Sequence, residues 1–224
     1  MSGGLGNAAL LATIAIVPLI VLVLTSFVKV SVVLSLVRNA IGAPDAPSGL
    51  VVTGLALVLT FFVMAPVAVA MAKAAQSTEV APAPTPGSLD GALHELVPAE
   101  YQVQLASAER AVEPLREFLA RHAGAKDRET FTELAHTMGR QADGRELWVV
   151  GPAFVTTELR QAFAIAVVIF VPFLIIDLIV GLALAALGLQ ATSPQVVALP
   201  LKLLLFVAVD GWRLLIDALL RGYA

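Results

Sequence analysis

The chain has 224 residues, of which 58% are hydrophobic and 14% are charged, and its net charge is −3. A soluble domain is about 45–50% apolar and about 25% charged, so this chain has too few polar side chains to cover a soluble domain of its size. The small negative charge does not indicate a nucleic-acid partner. The absence of cysteine excludes disulfides, thiolate metal sites and cysteine nucleophiles.

Two very apolar blocks, residues 8–72 and 162–220, stand near the two ends of the chain. Each is long enough for two membrane spans of about 20 residues, so we expect a helical hairpin in each. The first hairpin, residues 1–74, is predicted to turn within residues 38–49. No Lys or Arg precedes Lys29, so the N-terminus is interpreted as the start of the first helix rather than as a signal peptide.

The middle of the chain, residues 75–151, is predicted to be a linker followed by a small soluble helical domain. Of the 17 acidic residues, 13 lie between residues 73 and 161. The run of alternating Pro and Ala within residues 76–87 favours an extended, semi-rigid linker. The fold class that follows is all-α, with two hydrophobic hairpins flanking a thin soluble domain that needs packing against another chain or a membrane surface.

Two amphipathic helices are expected in this middle domain. The first covers residues 109–122 and ends at Gly124. Asp127 is expected to cap the second helix, and residues 139–144 are expected to form a turn. The apolar stripe of the first helix is Val112, Leu115, Phe118 and Leu119, and that of the second is Phe131, Leu134 and Met138.

The second hairpin, residues 152–224, is predicted to turn within residues 188–194. Ser193 is placed at the N-cap of its second limb and Pro194 at the first helical position. Residues 156–158 are interpreted as a helix start. Each apolar limb also carries a proline that should kink its helix: Pro18, Pro66, Pro172 and Pro200.

Charged residues lie inside these apolar blocks, where a charge facing hydrocarbon costs at least about 2.5–3.5 kcal/mol. They are Lys29, Asp177, Lys202 and Asp210. Counting outward from the second turn places Asp177 within one helical turn of Lys202, so a buried pair is predicted. Lys29 has no acid at its level in the first hairpin, which indicates a partner subunit. Asp210, Arg213 and Asp217 have the spacing of one ionic stripe on the last helix, and a solvated helix end explains the same spacing equally well.

Catalytic and metal-binding patterns are absent from the sequence. The three histidines lack metal-ligand spacing, residues 139–144 lack the features of a phosphate loop, and no nucleophile lies beside a base. We therefore predict no catalytic residue, no cofactor, no metal and no enzymatic activity.

Several long motifs resemble the SctR/FliP export-gate proteins of type III secretion, in order and over nearly the whole chain except the linker. These motifs are residues 26–42, 62–67, 114–119, 152–159, 173–177 and 199–212. The chain looks more similar to the virulence-associated SctR branch than to the flagellar branch.

The resemblance implies a non-enzymatic role in a multi-pass protein of the bacterial inner membrane. Such proteins are expected to form a pentameric ring with a small (SctS/FliQ-like) and a large (SctT/FliR-like) gate subunit, held largely on the periplasmic side. The soluble domain and both termini are then extracytoplasmic. Unfolded substrate polypeptides leave through the centre of this helical channel.

The resemblance also places the second-hairpin turn at the pore constriction. Many family members carry a run of Met there, which acts as a gasket. The corresponding residues are Leu189, Gln190, Ala191 and Thr192, so the position carries over but the methionine seal does not.

Two readings from other classes remain open. A four-helix ion or solute transporter could use Asp177 and Lys202 as a relay. A membrane-anchored scaffold could use the middle domain, although an anchor has no need of buried charges. Ion flux in vesicles would separate the relay from a large ring that requires partners.

Overall fold

The computed structural model describes residues 22–42, 48–77, 102–189 and 191–223, and 84% of these residues are helical. No strand occurs in the described ranges, so the all-α prediction is confirmed. The helices, in chain order, are α1 (Phe27–Ile41), α2 (Gly49–Gln76), α3 (Gln102–His122), α4 (Ala125–Thr137), α5 (Leu147–Ala186), α6 (Pro194–Ala208) and α7 (Gly211–Arg221).

Two helices, α2 and α5, are long and apolar enough to cross a membrane, by length and composition alone. Only 17% of the most apolar stretch of each is buried within the chain. Among the described residues, α6 is also apolar but shorter, because it ends at Ala208 after 15 residues. Pro66, Pro172 and Pro200 lie inside helices, whereas Pro18 and most of the predicted linker lie outside the described residues. The kinks stay a prediction.

The chain divides into two compact units. Unit 1 contains the described parts of Met1–Thr25 and Met64–Glu158, and unit 2 contains those of Ser26–Val63 and Leu159–Ala224. Both α2 and α5 contribute residues to each unit.

In unit 1, the predicted helix of residues 109–122 is confirmed at its C-terminal end and begins earlier, at Gln102. Leu115, Phe118 and Leu119 are buried, as the apolar stripe predicts. The Phe118 ring lies 5.8 Å from the ring of Phe154 in α5. Aromatic contact of this kind is stabilising beyond the area that it buries.

The turn between α3 and α4 is tied to α5 through one hydroxyl. Thr157 Oγ1 accepts a hydrogen bond from the Gly124 amide at 2.8 Å and donates one to Asp127 Oδ2. Gly124, not Asp127, is the N-cap of α4, and it makes no side-chain cap. The predicted capping role of Asp127 was therefore wrong: its carboxylate lies in the first turn and binds Thr157 instead.

Two further expectations for unit 1 need correction. Residues 156–158 lie inside α5, which already begins at Leu147 because the Glu146 carbonyl accepts the first amide bonds of the helix. On α4, Leu134 and Met138 are exposed and Ala135 is the buried residue. The predicted turn over residues 139–144 is confirmed, since it separates α4 from α5.

Unit 2 has a core that α1 dominates. Val30, Val33, Leu34 and Val37 of α1 are almost fully buried. They belong to one cluster with apolar residues of the other unit 2 helices: Ala56, Leu59, Ala162, Phe173, Phe206, Leu215 and Leu219. This core brings the charged residues of the two apolar blocks into the same unit.

Candidate functional site

The predicted pair between the two limbs of the second hairpin is present. Lys202 Nζ of α6 lies 2.7 Å from Asp177 Oδ2 of α5. The two side chains differ in exposure, at 5% for Lys202 and 32% for Asp177. The lysine is therefore the desolvated partner, and its charge depends on the contacts that the protein supplies.

Lys202 also binds the end of α1. Its Nζ donates a hydrogen bond of 3.1 Å to the carbonyl oxygen of Ala40. That carbonyl lies in the last turn of α1, where helix carbonyls lack intrahelical partners and carry a partial negative charge. Gly42 then terminates the helix in the left-handed conformation at φ 83°. One ammonium thus joins three helices: α1, α5 and α6.

Lys29 has a contact that the sequence did not reveal. The residue is 1% exposed, and its Nζ lies 4.0 Å from the centre of the Tyr223 ring. A desolvated cation over an aromatic face gains about 2 kcal/mol or more. The expectation that Lys29 is unpaired within the chain was therefore wrong, because the residues after α7 come back to α1.

Asp210 is not a buried charge. It is exposed, and it adopts the left-handed conformation at φ 51° between α6 and α7. The predicted stripe of Asp210, Arg213 and Asp217 therefore does not lie on one continuous helix. Within α7, Arg221 Nε instead donates to Asp217 Oδ2 at 2.6 Å. That hydrogen bond, and then the charge of Asp217, raise the pKa of the exposed Arg221 guanidinium.

The corner between α6 and α7 needs a glycine after Asp210. A Cβ atom on Gly211 would lie 2.3 Å from Cδ2 of Phe206. The Phe206 ring is buried and lies 6.4 Å from the Phe173 ring and 5.4 Å from Trp212, edge to face. These neighbours hold the ring over the glycine.

We expect Gly211→Ala to destabilise the chain, because the new methyl group displaces a packed ring at a cost of about 1–3 kcal/mol. The control is Gly181→Ala in α5, where no atom lies within 4 Å of the added Cβ. Alanine in a helix interior is favoured over glycine by about 0.5–1 kcal/mol. Thermal unfolding of the detergent-solubilised chain should show opposite shifts, and Phe206→Leu should partly rescue Gly211→Ala. Equal shifts for the two glycine variants would contradict this account.

The predicted turn of the second hairpin is confirmed in position. Gly188 follows α5 at φ 72°, Ser193 is the N-cap residue of α6, and Pro194 is its first helical residue. Leu189, Ala191 and Thr192 are exposed, and Gln190 lies outside the described residues. An exposed turn with small and apolar side chains is accessible to other chains, and its place in a pore stays a prediction.

Several contacts of these charges were beyond the reach of sequence patterns. Tyr223 is an isolated aromatic residue after α7, and the Ala40 carbonyl carries no side-chain signal. Gly211 stood within a family-like motif, but only the ring of Phe206 shows why it is there. Among the described residues no cluster of His, Asp or Glu could hold a metal ion.

The FliP family pattern matches residues 10–219 of this chain. The chain is 41% identical to the flagellar biosynthetic protein FliP of Pectobacterium carotovorum subsp. carotovorum, over 96% of this chain and 76% of that protein. It is 37% identical to the hypersensitivity response secretion protein HrcR of Ralstonia nicotianae, over 94% and 93% of the two chains. It is also 37% identical to the Yop proteins translocation protein R of Yersinia pestis, over 95% and 93%.

The chain spans about half the length of two other flagellar relatives, 54% and 52%. Flagellar and virulence-related relatives have similar identities to this chain, so the assignment to the SctR branch stays a prediction. The family resemblance itself is confirmed by the match over residues 10–219. By that match, the chain belongs to the FliP family.

Proposed function

We propose that this chain is a core subunit of a type III secretion export gate, forming with partner subunits a helical channel for unfolded polypeptides across the bacterial inner membrane. Its family membership and its relatives in flagellar biosynthesis and secretion support a role in the export apparatus. The role is structural rather than catalytic, and it requires no cofactor.

One observation supports the proposal beyond family membership: charged side chains are buried, while many large apolar side chains of α2 and α5 are exposed. Lys29 and Lys202 are 1% and 4% exposed. In contrast, Phe61 of α2 and Leu178 of α5 are 75% and 62% exposed. Such a surface must be covered by lipid or by protein. Buried charges inside unit 2 are consistent with helices whose exposed apolar faces pack against other protein subunits.

The proposed assembly is a pentameric ring of this chain, completed by a small and a large gate subunit. The ring is embedded as a multi-pass component of the inner membrane and lies largely on its periplasmic side. The soluble helices of unit 1 are extracytoplasmic. The turn at residues 189–192 faces the path of the secreted polypeptide and replaces the methionine gasket of other family members.

Native mass spectrometry of the detergent-extracted protein, alone and with both partner subunits, tests this proposal. We expect a ring of several copies that gains mass when the partners are present. Leu178→Ser should lower the ring fraction, because it puts a polar group on an exposed apolar face. Leu178→Met should not, because it keeps both volume and polarity.

A monodisperse monomer in several mild detergents, with the partner subunits present, would contradict the proposal. The transporter alternative predicts ion flux from vesicles that contain this chain alone. The observed geometry does not favour that alternative, since Lys202 is engaged both by Asp177 and by the Ala40 carbonyl. Ion flux that depends on Asp177 and occurs without the partner subunits would favour the transporter alternative again.

A further inference from the structure

Three features lie at the same height along the axis of the second hairpin, and they separate its turn from the rest of unit 2. The first is the break between α6 and α7, where Asp210 has φ 51°. The second is Pro172 of α5, which has no amide to donate to the preceding turn. The third is an apolar pocket of about 570 Å³, partly open to the surface, that Pro172, Val209 and Gly211 help to line. Interrupted backbone hydrogen bonding therefore coincides with an apolar pocket, while the Phe206 ring packs closely over Gly211.

Between this height and the turn, the two limbs of the hairpin, α5 and α6, contact each other. We define its described residues within 173–208 as the distal arm. The ion pair between Asp177 and Lys202 joins the two limbs of the arm at 2.7 Å. Val180, Leu184 and Ala198 form a small apolar cluster between the same limbs. These contacts tie the two limbs of the distal arm to each other.

The distal arm has one polar attachment to α1, which is the hydrogen bond from Lys202 to the Ala40 carbonyl at 3.1 Å. Its other contacts with the unit 2 core are apolar, through Leu199 and Leu205, which are only partly buried, and through Phe173 and Phe206 at the level of the pocket. Apolar contacts are non-directional, so they tolerate small shifts of the arm. Losing a buried hydrogen bond leaves its donor unsatisfied and therefore costs free energy.

We propose that the distal arm pivots about Pro172 and Val209–Gly211, and that the bond from Lys202 to Ala40 is the latch that holds it against α1. Densely packed interiors resist deformation, so a pivot needs free volume beside its axis, and the partly open pocket lined by Pro172, Val209 and Gly211 lies there. Hinges are typically a few residues at the ends of elements, as Val209–Gly211 are.

This inference rests on the proposed function in one respect: the arm carries the turn at residues 189–192, so a pivot moves the candidate constriction. From Phe173 to Leu189 the arm is about 24 Å long at 1.5 Å per residue. A rotation of about 10° about the pivot then displaces the turn by about 4 Å, since the lever is about 24 Å long.

Distances between spin labels in the purified full chain test the pivot, and the cysteine-free sequence lets each introduced cysteine be labelled alone. One pair, Leu187→Cys with Leu50→Cys, measures the arm against the rest of unit 2. A second pair, Leu50→Cys with Leu214→Cys, stays within the rest of unit 2. A third, Leu182→Cys with Val196→Cys, stays within the arm. All five positions are exposed.

The latch is removed by combining Asp177→Leu with Lys202→Met, which leaves no charge unpaired. The change also removes the ion pair between the two limbs, but the cluster of Val180, Leu184 and Ala198 still joins them. We expect this change to shift or broaden the arm-to-body distance, by about 4 Å for each rotation of about 10° of the lever of about 24 Å, while the two control distances stay the same. Pro172→Ala restores a backbone donor and should narrow the arm-to-body distribution. The matched control is Asp217→Leu with Arg221→Met, which removes an ion pair on α7 and should change none of the three distances.

An unchanged arm-to-body distance in the unlatched chain would overturn the pivot. Equal broadening of all three distances would overturn it too, because that shows general loosening. Neither result depends on export, so the pivot can fail while the gate function stands. Conversely, absence of a ring would remove the gate function while these distances still decide the pivot.

Discussion

Asp177→Leu should cost more stability than Lys202→Met, although both remove the same ion pair. Breaking a buried pair from one side costs about 3–5 kcal/mol, because the remaining charge is uncompensated. In Asp177→Leu the remaining charge is Lys202, whose side chain is 5% exposed. Among the described residues, the carbonyl of Ala40 is then its remaining partner.

In Lys202→Met the remaining charge is Asp177, whose side chain is 32% exposed. Water reaches that carboxylate only in part, because Oδ1 is buried and has no hydrogen-bond partner among the described residues. We expect a smaller loss than for Asp177→Leu, of about 1–3 kcal/mol, the usual cost of a poorly satisfied polar group. The double variant should lose less than the sum of the single losses, with a coupling of about 0.5–3 kcal/mol. Thermal unfolding in detergent and the yield of assembled complex both measure it.

The matched control is Asp217→Leu, the same change at an exposed ion pair, where the acid is 52% exposed and Arg221 is 78% exposed. Exposed pairs are typically worth about 0–1 kcal/mol, so this variant should be nearly neutral. Strictly additive losses for Asp177→Leu and Lys202→Met would show that the two residues do not stabilise each other. A larger loss for Lys202→Met would show that the Ala40 bond outweighs the ion pair.

The second large effect is expected at the turn of the second hairpin, if residues 189–192 form the constriction. Leu189→Gly or Ala191→Gly removes side-chain volume from a seal that has no methionine to fill irregular gaps. We expect ions or small solutes to leak across the membrane while the ring still assembles. Bulky replacements such as Ala191→Trp should instead narrow the path and slow secretion.

Membrane leak and secretion should be measured together for each variant, with ring formation checked in parallel. Leu187→Gly is the control, because Leu187 is an exposed leucine just outside the turn, at 72% exposure. Leak from Leu187→Gly equal to that from Leu189→Gly would show a general weakening of the hairpin. Normal leak and secretion in every variant of residues 189–192 would show that this turn is not the constriction.

The sequence predicted local and periodic features well, because these depend on neighbouring residues along the chain. The buried stripe of α3 followed from helical spacing, and the start of α6 followed from Ser193 and Pro194. The pair between Asp177 and Lys202 followed from antiparallel register, since residues equally far from a tight turn lie opposite each other. That register needs no knowledge of the rest of the fold.

The break between α6 and α7 at Asp210 was not predicted, because the helical spacing of charged residues continues across it. Asp210, Arg213 and Asp217 have helical periodicity whether or not the helix is continuous, and Asp is among the residues that tolerate the left-handed conformation. Periodicity therefore could not distinguish one long helix from two. The Phe206 ring packed against Gly211 shows why the chain turns there.

By itself, the sequence determined that the chain is all-helical, that it carries charges inside apolar blocks and that it resembles one family. Only the tertiary structure decided what those charges bind. Lys29 contacts Tyr223 and Lys202 contacts the Ala40 carbonyl, across 194 and 162 residues of chain (223 − 29 and 202 − 40). An aromatic face and a backbone carbonyl leave no charge pattern in a sequence, so these partners emerge only when the helices pack.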